Sequence, residues 1–439
     1  MNFLIIGSGA REHAISRALK RSPQNPRLFC IGNSINPGIQ GLTEHYFLGD
    51  ICNSEKIVEQ AEAWHIDIAI IGPEAPLAQG VADRLWEKGI RVIGPKKNLA
   101  RIESSKSFTR DLLKKYHIPG SPQYHTFLEM NGIADFLNQL GENQYVIKAD
   151  GLMAGKGVKV AGDHLHSIEE ALQFCQELIA SQQAILIEEK LIGQEFSLLS
   201  FCDGEILIPM PLIQDHKRAY RNDEGPNTGG MGSYSAADHG LPFLTEDDIH
   251  QAKKINEAVL KALMTECQDK YYGILYGSFI ATKKGIALIE YNARFGDPEA
   301  MNVLTILESD FVSICEAMVT GNLKNVNIRF AHQATVCKYA VPLGYPHHAI
   351  KEQSVDISRI QHPDDLFYAG VNLQNGELSL TGGRALACVG VGQTLKSAES
   401  RAEAEMNRIM GNVFHREDIG TEAFIARKIK QMQELRQCD

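Results

Sequence analysis

A chain of 439 residues is too long for one ordinary domain, and about three are expected. The net charge of −10 argues against a nucleic-acid partner, which would call for a basic face, so any phosphate site must be local. Nine cysteines without a C-x-x-C pair fit reduced thiols in a cytoplasm, and the N-terminal apolar run, Phe3 to Ile6, is too short for a signal peptide or a membrane span.

Phe3–Ile6, Leu28–Ile31, Ile66–Ile71 and Ile90–Ile93 each run into a glycine, with helical stretches between them. That pattern predicts an open parallel sheet over residues 1–102. The first turn, Gly7-Ser-Gly-Ala-Arg-Glu-His-Ala14, resembles a dinucleotide fingerprint, but Glu12 stands where the third glycine should be. The second strand ends in Gly32-Asn33 rather than an acidic residue, so a nicotinamide or flavin cofactor is not expected. A glycine turn feeding a helix still offers backbone N–H groups to one phosphate. Gly72-Pro-Glu-Ala-Pro76 occupies a similar strand end.

A helix with a serine cap opens at Ser104-Ser-Lys106 and stops before Ile118-Pro-Gly-Ser-Pro122. Next comes a small unit with strand Tyr145–Ala149, a glycine-rich loop, a further strand, a helix over Ser167–Ile179 and strand Ala184–Glu188. Strand Phe196–Phe201, a polar glycine-rich loop at Gln214–Ser235, helix Glu246–Met264 and a hairpin ending at Glu290 follow. The last hundred or so residues read as mixed strands with one helix, Leu395–Ile409.

Three stretches carry chemistry. The run Glu290-Tyr-Asn-Ala-Arg-Phe-Gly-Asp-Pro-Glu-Ala-Met-Asn302 ends an apolar strand, and strand alternation puts Glu290 and Asn292 on one face. Magnesium suits such a pair, since it takes oxygen ligands and usually fills its shell with phosphates and water. Lys148-Ala-Asp-Gly-Leu-Met-Ala-Gly-Lys-Gly-Val158 is not a Walker loop, but a glycine hairpin carrying Lys156 can close over phosphates already met by Lys148. In Ile185-Leu-Ile-Glu-Glu-Lys-Leu191, followed by Glu195, an apolar strand passes into carboxylates suited to a nucleoside. Taken singly, each also reads as a polar strand end or a solvated hairpin tip.

In this order, the three match the layout of the ATP-grasp superfamily. The loops Gln214-Asp-His-Lys-Arg218 and Gly225-Pro-Asn-Thr-Gly-Gly-Met-Gly-Ser-Tyr-Ser235 narrow the resemblance, together with Gly7–Ala14 and Arg294-Phe-Gly-Asp-Pro-Glu299. With them the whole chain, through Phe414-His-Arg-Glu-Asp-Ile-Gly420, resembles the phosphoribosylamine–glycine ligases of purine biosynthesis. The resemblance implies an α/β and α+β multidomain fold. A Rossmann-like substrate domain would span 1–102, an ATP-grasp core 103–122 and 196–330, a lid 123–195, and a mixed α/β C-terminal domain 331–439.

It further implies ATP-dependent ligation of glycine to 5-phosphoribosylamine through glycyl phosphate, in a cytoplasmic protein expected to be a monomer. Glu290 and Asn292 would hold magnesium or manganese, and Lys106, Lys148, Gly155, Lys156 and Gly157 would meet the ATP phosphates. Glu188, Glu189 and Glu195 would serve adenine and ribose, and Arg294, with Lys156, the transferred phosphoryl group. Asn227, Thr228, Gly229 and Gly230 would surround glycine. Gly9, Glu12, His13, Asp215 and Lys217 would hold the aminosugar phosphate, and Asp297, Pro298 and Glu299 complete the expected substrate residues. His13 and His216 read equally well as structural hydrogen-bonders. Ala10, Met153 and Ala300-Met301 depart from the common family pattern without removing a charge or ligand. The rivals are another ATP-grasp ligase or carboxylase, against which the loop Gly225–Ser235 and the missing Met-Lys-Met context of an attached biotin both weigh, and a nucleotide-binding module without turnover.

Overall fold

The computed structural model describes residues 1–152 and 157–437. The first strands form a parallel sheet in the order His45–Leu48, Arg27–Gly32, Asn2–Ile6, Ile68–Ile71, Arg91–Ile93. Phe3, Leu4, Ile5 and Ile6 are all 0% exposed, so the central strand is covered on both faces, as a parallel sheet requires. Strand His45–Leu48 was not anticipated. It lies at the sheet edge and stays partly exposed, so its residues need no apolar run.

The lid unit is an antiparallel sheet in the order Tyr124–Phe127, Ile185–Glu189, Tyr145–Ala149, Val158–Val160, backed by helices Ile133–Leu140 and Ile168–Ala180. Ile133, Leu137, Ile147, Phe174 and Ile187 form a core of its own, distinct from the main one. A unit with a separate core can shift as a body against its neighbours. The main core continues into the antiparallel sheet Leu207–Pro209, Gly193–Asp203, Tyr272–Thr282, Gly285–Asn292, against which helix Glu246–Cys267 packs.

Two expectations are corrected. The stretch Gln214–Ser235, read as loop, contains strands Gln214–Asp215, Arg218–Tyr220, Glu224–Asn227 and Gly232–Ser235. Arg218–Tyr220 and Glu224–Asn227 form a local two-stranded ribbon, whereas Gly232–Ser235, with Gln214–Asp215 beside it, pairs with the remote strand Ala334–Pro342, which continues to Leu386–Gly392 and Leu366–Tyr368. A Cβ at Gly232 would stand 2.3 Å from the Cys337 carbonyl oxygen, so the glycine here is a close-approach residue in a sheet. The C-terminal part also carries a second helix, Glu422–Gln437, beyond Leu395–Met406. Its apolar stripe is sparse, with Phe424, Ile425 and Met432 buried, and ion pairs from Lys428 to Asp223 and Arg436 to Asp248 dock the rest. No helix among the described residues is long and apolar enough to cross a membrane.

Lys338, in the middle of the C-terminal sheet, has a fully buried side chain, with its ammonium 2.7 Å from Glu399, 2.6 Å from Glu403 and 2.8 Å from the Glu417 carbonyl. Lys338→Ala should cost about 3–5 kcal/mol in urea unfolding, because it leaves carboxylates packed without their cation. A loss below about 1 kcal/mol would contradict this, since that is the range of an exposed pair. Burial alone would raise the Glu403 carboxyl, but His415 and Lys338 hold it at about 2. Its contribution is therefore complete above the ordinary value of 4.5 and is lost as pH falls through about 2.

Candidate active site

The floor of the site is the end of strand Gly285–Asn292. Ser278 pairs with Glu290 and Phe279 with Leu288, so Ile289 is an extra residue and the strand bulges there. The bulge turns the Ile289 carbonyl to two cations: it accepts from Arg110 Nη2 at 2.8 Å and from Lys148 Nζ at 3.4 Å. Beyond the bulge, alternation resumes and Glu290 and Asn292 share a face. Burial alone would raise the Glu290 carboxyl, yet Lys217, Lys148, Lys106 and Arg294 together hold it below the ordinary range. Asn292 Oδ1 accepts from Arg294 Nη2 at 3.0 Å and keeps a second lone pair. One ionised carboxylate and one amide oxygen fit a magnesium ion that draws its other ligands from phosphates. No group of three or more His, Cys, Asp or Glu suited to an all-protein metal site occurs among the described residues.

Above the floor lies a buried ion cluster. Arg110 meets Glu188 with both Nε and Nη2, and Lys148 Nζ lies 2.6 Å from Glu188 Oε2. Although burial opposes it, these cations hold the Glu188 carboxyl down to about 2. Glu188, expected beside adenine and ribose, is 3% exposed, and its carboxylate anchors Lys148. Glu189, next in the strand, is half-buried and accepts from Gln123 N, and Glu195 is exposed. Lys106 Nζ donates to the Gly151 carbonyl at 2.8 Å, and Asp150 accepts from the Lys106 backbone N–H, tying the root of the glycine loop to a helix start. Lys106, Arg110, Glu188 and Glu290 line one cleft. The Gly157 carbonyl accepts from Ala149 N at the base of that loop, while Met153, Gly155 and Lys156 lie outside the described residues.

The N-terminal turn is arranged differently from the expectation. Gly9 N donates to Glu12 Oε2, the return half of a capping box, and Arg11 Nε lies 2.6 Å from Glu12 Oε1. A Cβ at Gly72 would stand 2.0 Å from Glu12 Oε1, so the carboxylate fills the cradle between the Gly7 and Gly72 turns. His13 Nδ1 accepts from Tyr368 N at 3.1 Å, and burial pushes the ring's pKa well down. Glu12 and His13, expected at the aminosugar phosphate, are 2% and 1% exposed and hold the turn together, and Gly9 is left at its mouth.

A similar sorting applies to the loops expected to meet the substrates. Thr228 is committed to its own loop, its hydroxyl donating to the Lys217 carbonyl and accepting from Gly230 N. Glu299, 2% exposed, accepts from Tyr276 OH at 2.7 Å and sits against Gly296, while Pro298 caps the helix that starts at Glu299. In both places the polar groups of a tight turn are satisfied within the protein. Lys217 keeps part of its side chain exposed, with Nζ 3.7 Å from Glu195 and 3.9 Å from the buried carboxylate of Asp215. Burial pushes Asp215 up to about 7 against the pull of Lys217, and Glu299 and Glu195 add to the rise. Asp297 faces the Gly9 turn, held by Tyr339 OH at 2.6 Å and Arg384 Nη2 at 3.1 Å. Arg294 is bracketed by Glu103 at 2.9 Å and Glu74 at 3.5 Å. His216 is enclosed by Tyr234 and Phe424 with Nδ1 3.5 Å from Asp223, and so is structural.

Arg110, Glu103, Glu74, Tyr339 and Arg384 were not singled out in the sequence. Arg110 could have been, because it follows Lys106 by one helical turn and therefore shares its face. Glu188→Ala should cost about 3–5 kcal/mol in urea unfolding, because it strands two buried cations. Loss of less than about 1 kcal/mol would show that the cluster is solvated and does not anchor the site.

Residues 1–103 match the phosphoribosylglycinamide synthetase N domain, 104–300 its ATP-grasp (A) domain and 335–422 its C domain. A phosphoribosylamine–glycine ligase of Methanosarcina barkeri is 47% identical over 436 residues, covering 99% of this chain and 100% of that one. One from Methanocaldococcus jannaschii is also 47% identical, over 445 residues, with 99% and 100% covered. The crystal structure of a phosphoribosylamine–glycine ligase from Thermotoga maritima superposes with a TM-score of 0.80 at 28% identity, covering 95% of this chain and 100% of that one. The biotin carboxylase domain of a Hydrogenobacter thermophilus 2-oxoglutarate carboxylase, at 15% identity and a TM-score of 0.72 with 98% and 93% covered, shares the fold. This chain belongs to the phosphoribosylglycinamide synthetase family.

Proposed function

We propose that the chain ligates glycine to 5-phosphoribosylamine, converting ATP to ADP and phosphate and yielding glycinamide ribonucleotide. The observation that carries this reading is Glu290 at the end of the floor strand, its carboxyl held below the ordinary range by Lys217, Lys148, Lys106 and Arg294, in a chain of this family. An ionised carboxylate with lysine and arginine side chains near it suits a metal-bound polyanion better than a neutral substrate.

Glycine's carboxylate is a poor electrophile. Attack of one carboxylate oxygen on the γ-phosphorus of ATP releases ADP and gives glycyl phosphate; the amine of phosphoribosylamine then attacks the acyl carbon and phosphate leaves with the bridging oxygen. Rate in such a step comes from alignment and charge stabilisation. Lys148, pinned by Glu188, and Lys106 hold the phosphates, while Glu189 and Glu195 flank the nucleoside. Magnesium or manganese, held by Glu290 and Asn292, would neutralise charge on the phosphates when bound. Arg294 stands beside Asn292 to meet the transferred phosphoryl group. Asn227, Gly229 and Gly230 hold glycine, and Gly9, Asp215, Lys217 and Asp297 hold the aminosugar phosphate. The lid's separate core supports its closing over the nucleotide as a unit, sheltering glycyl phosphate from water. A monomer working in the cytoplasm completes the reading.

ADP release should require both glycine and phosphoribosylamine, the latter generated in situ because it is labile. Faster turnover with a different carboxylic acid in a competition panel would overturn the assignment. Glu290→Ala should stay folded by circular dichroism yet lose roughly a hundredfold or more in kcat. Near-normal turnover at saturating magnesium would remove the metal role.

A further inference from the structure

The Gly229–Gly230 loop and the Asp297–Pro298 turn come from different parts of the chain, and one side chain of the C-terminal sheet holds both. Arg384 ends the turn Thr381-Gly-Gly-Arg384 that enters strand Leu386–Gly392. Its Nη1 donates to the carbonyls of Gly229 at 2.9 Å, Gly230 at 3.0 Å and Asp297 at 2.9 Å. Its Nη2 lies 3.1 Å from Asp297 Oδ1, and the guanidinium carbon lies 4.4 Å from the centre of the Tyr339 ring. The turn itself is fixed, since Gly370 N donates to the Arg384 carbonyl at 2.7 Å and Thr381 Oγ1 to the Gly370 carbonyl at 2.9 Å.

Without a cation between them, three carbonyl dipoles would not converge on one point. With it, the orientation of the loop peptides is set from both sides. The carbonyls of Gly229 and Gly230 face Arg384, while the N–H of Gly230 goes to Thr228 and that of Met231 to the His216 carbonyl. The same guanidinium fixes Asp297, whose other oxygen faces the Gly9 turn.

We propose that Arg384 is a positioning residue for the ligation, setting the spacing between the Gly229–Gly230 loop and Asp297 and so between the two substrates that meet there. The inference rests on the functional reading above and makes the C-terminal sheet part of the substrate site.

The test measures apparent KM for all three substrates in the full chain carrying Arg384→Ala, Arg384→Lys, Gly229→Ala or Arg384→Ala with Gly229→Ala. Arg384→Ala should raise the KM of glycine and of phosphoribosylamine together, roughly tenfold or more, and leave that of ATP within about twofold. Arg384→Lys should not restore them, because an ammonium cannot bridge carbonyls and carboxylate as a planar fork does. A Cβ at Gly229 would stand 3.3 Å from Arg384 Cζ, so Gly229→Ala should push the guanidinium aside, raise the same two KM values and add nothing to Arg384→Ala. A lowered thermal midpoint with all KM values unchanged, or additive losses in the double variant, would overturn the inference. If Arg384→Ala does not fold, Gly229→Ala alone decides, unchanged KM values overturning it. Absence of turnover dependent on both substrates in the unsubstituted chain would overturn the functional reading and this inference together.

Discussion

Removing a charge from water is costly unless it is paired, and the Arg110–Glu188–Lys148 cluster turns that constraint into architecture. Arg110 lies on a helix of the core unit, Glu188 and Lys148 on adjacent strands of the lid, and the Ile289 carbonyl at the bulge of the floor strand receives a bond from each cation. Lid, core and floor therefore meet at one point. The lid has its own apolar core, so this polar seam governs where its strands stand relative to Glu290.

The same constraint divides the charged residues near the cleft into two sets. Glu12, Glu188 and Glu299 are nearly inaccessible and satisfy neighbouring N–H, O–H or cationic groups. Glu290, Glu195 and Lys217 keep part of their surface open. Among the buried members, Glu12 and Glu299 sit at helix starts beside tight turns. Glu12 is the clearest case: filling the place of a third fingerprint glycine, it ties two strand-end turns to one helix start. The turn that results has a narrow mouth at Gly9 in place of a dinucleotide groove.

Much of the fold was legible in the chain because its strands are apolar and closed by glycine, as at Phe3–Ile6 and Ile68–Ile71. The pairing of Glu290 with Asn292 was legible too, since alternation resumes after the bulge. Alternation could not say which of Glu188 and Glu189 points inward, because Arg110, which decides it, lies 78 residues earlier. Nor could the glycine content of the 214–235 stretch reveal a sheet whose partner begins at Ala334. Arg384 was hidden for a like reason, its acceptor at Gly229 being 155 residues away. What local pattern misses here is long-range pairing of polar groups, where the partner and not the residue type decides the role.

Activation of a carboxylate by a phosphoryl group leaves an isotopic trace. With glycine labelled by oxygen-18 in its carboxylate, turnover in the presence of ATP and phosphoribosylamine should deliver one labelled oxygen into the released phosphate. Phosphate free of label, alongside normal formation of the amide product, would contradict the account.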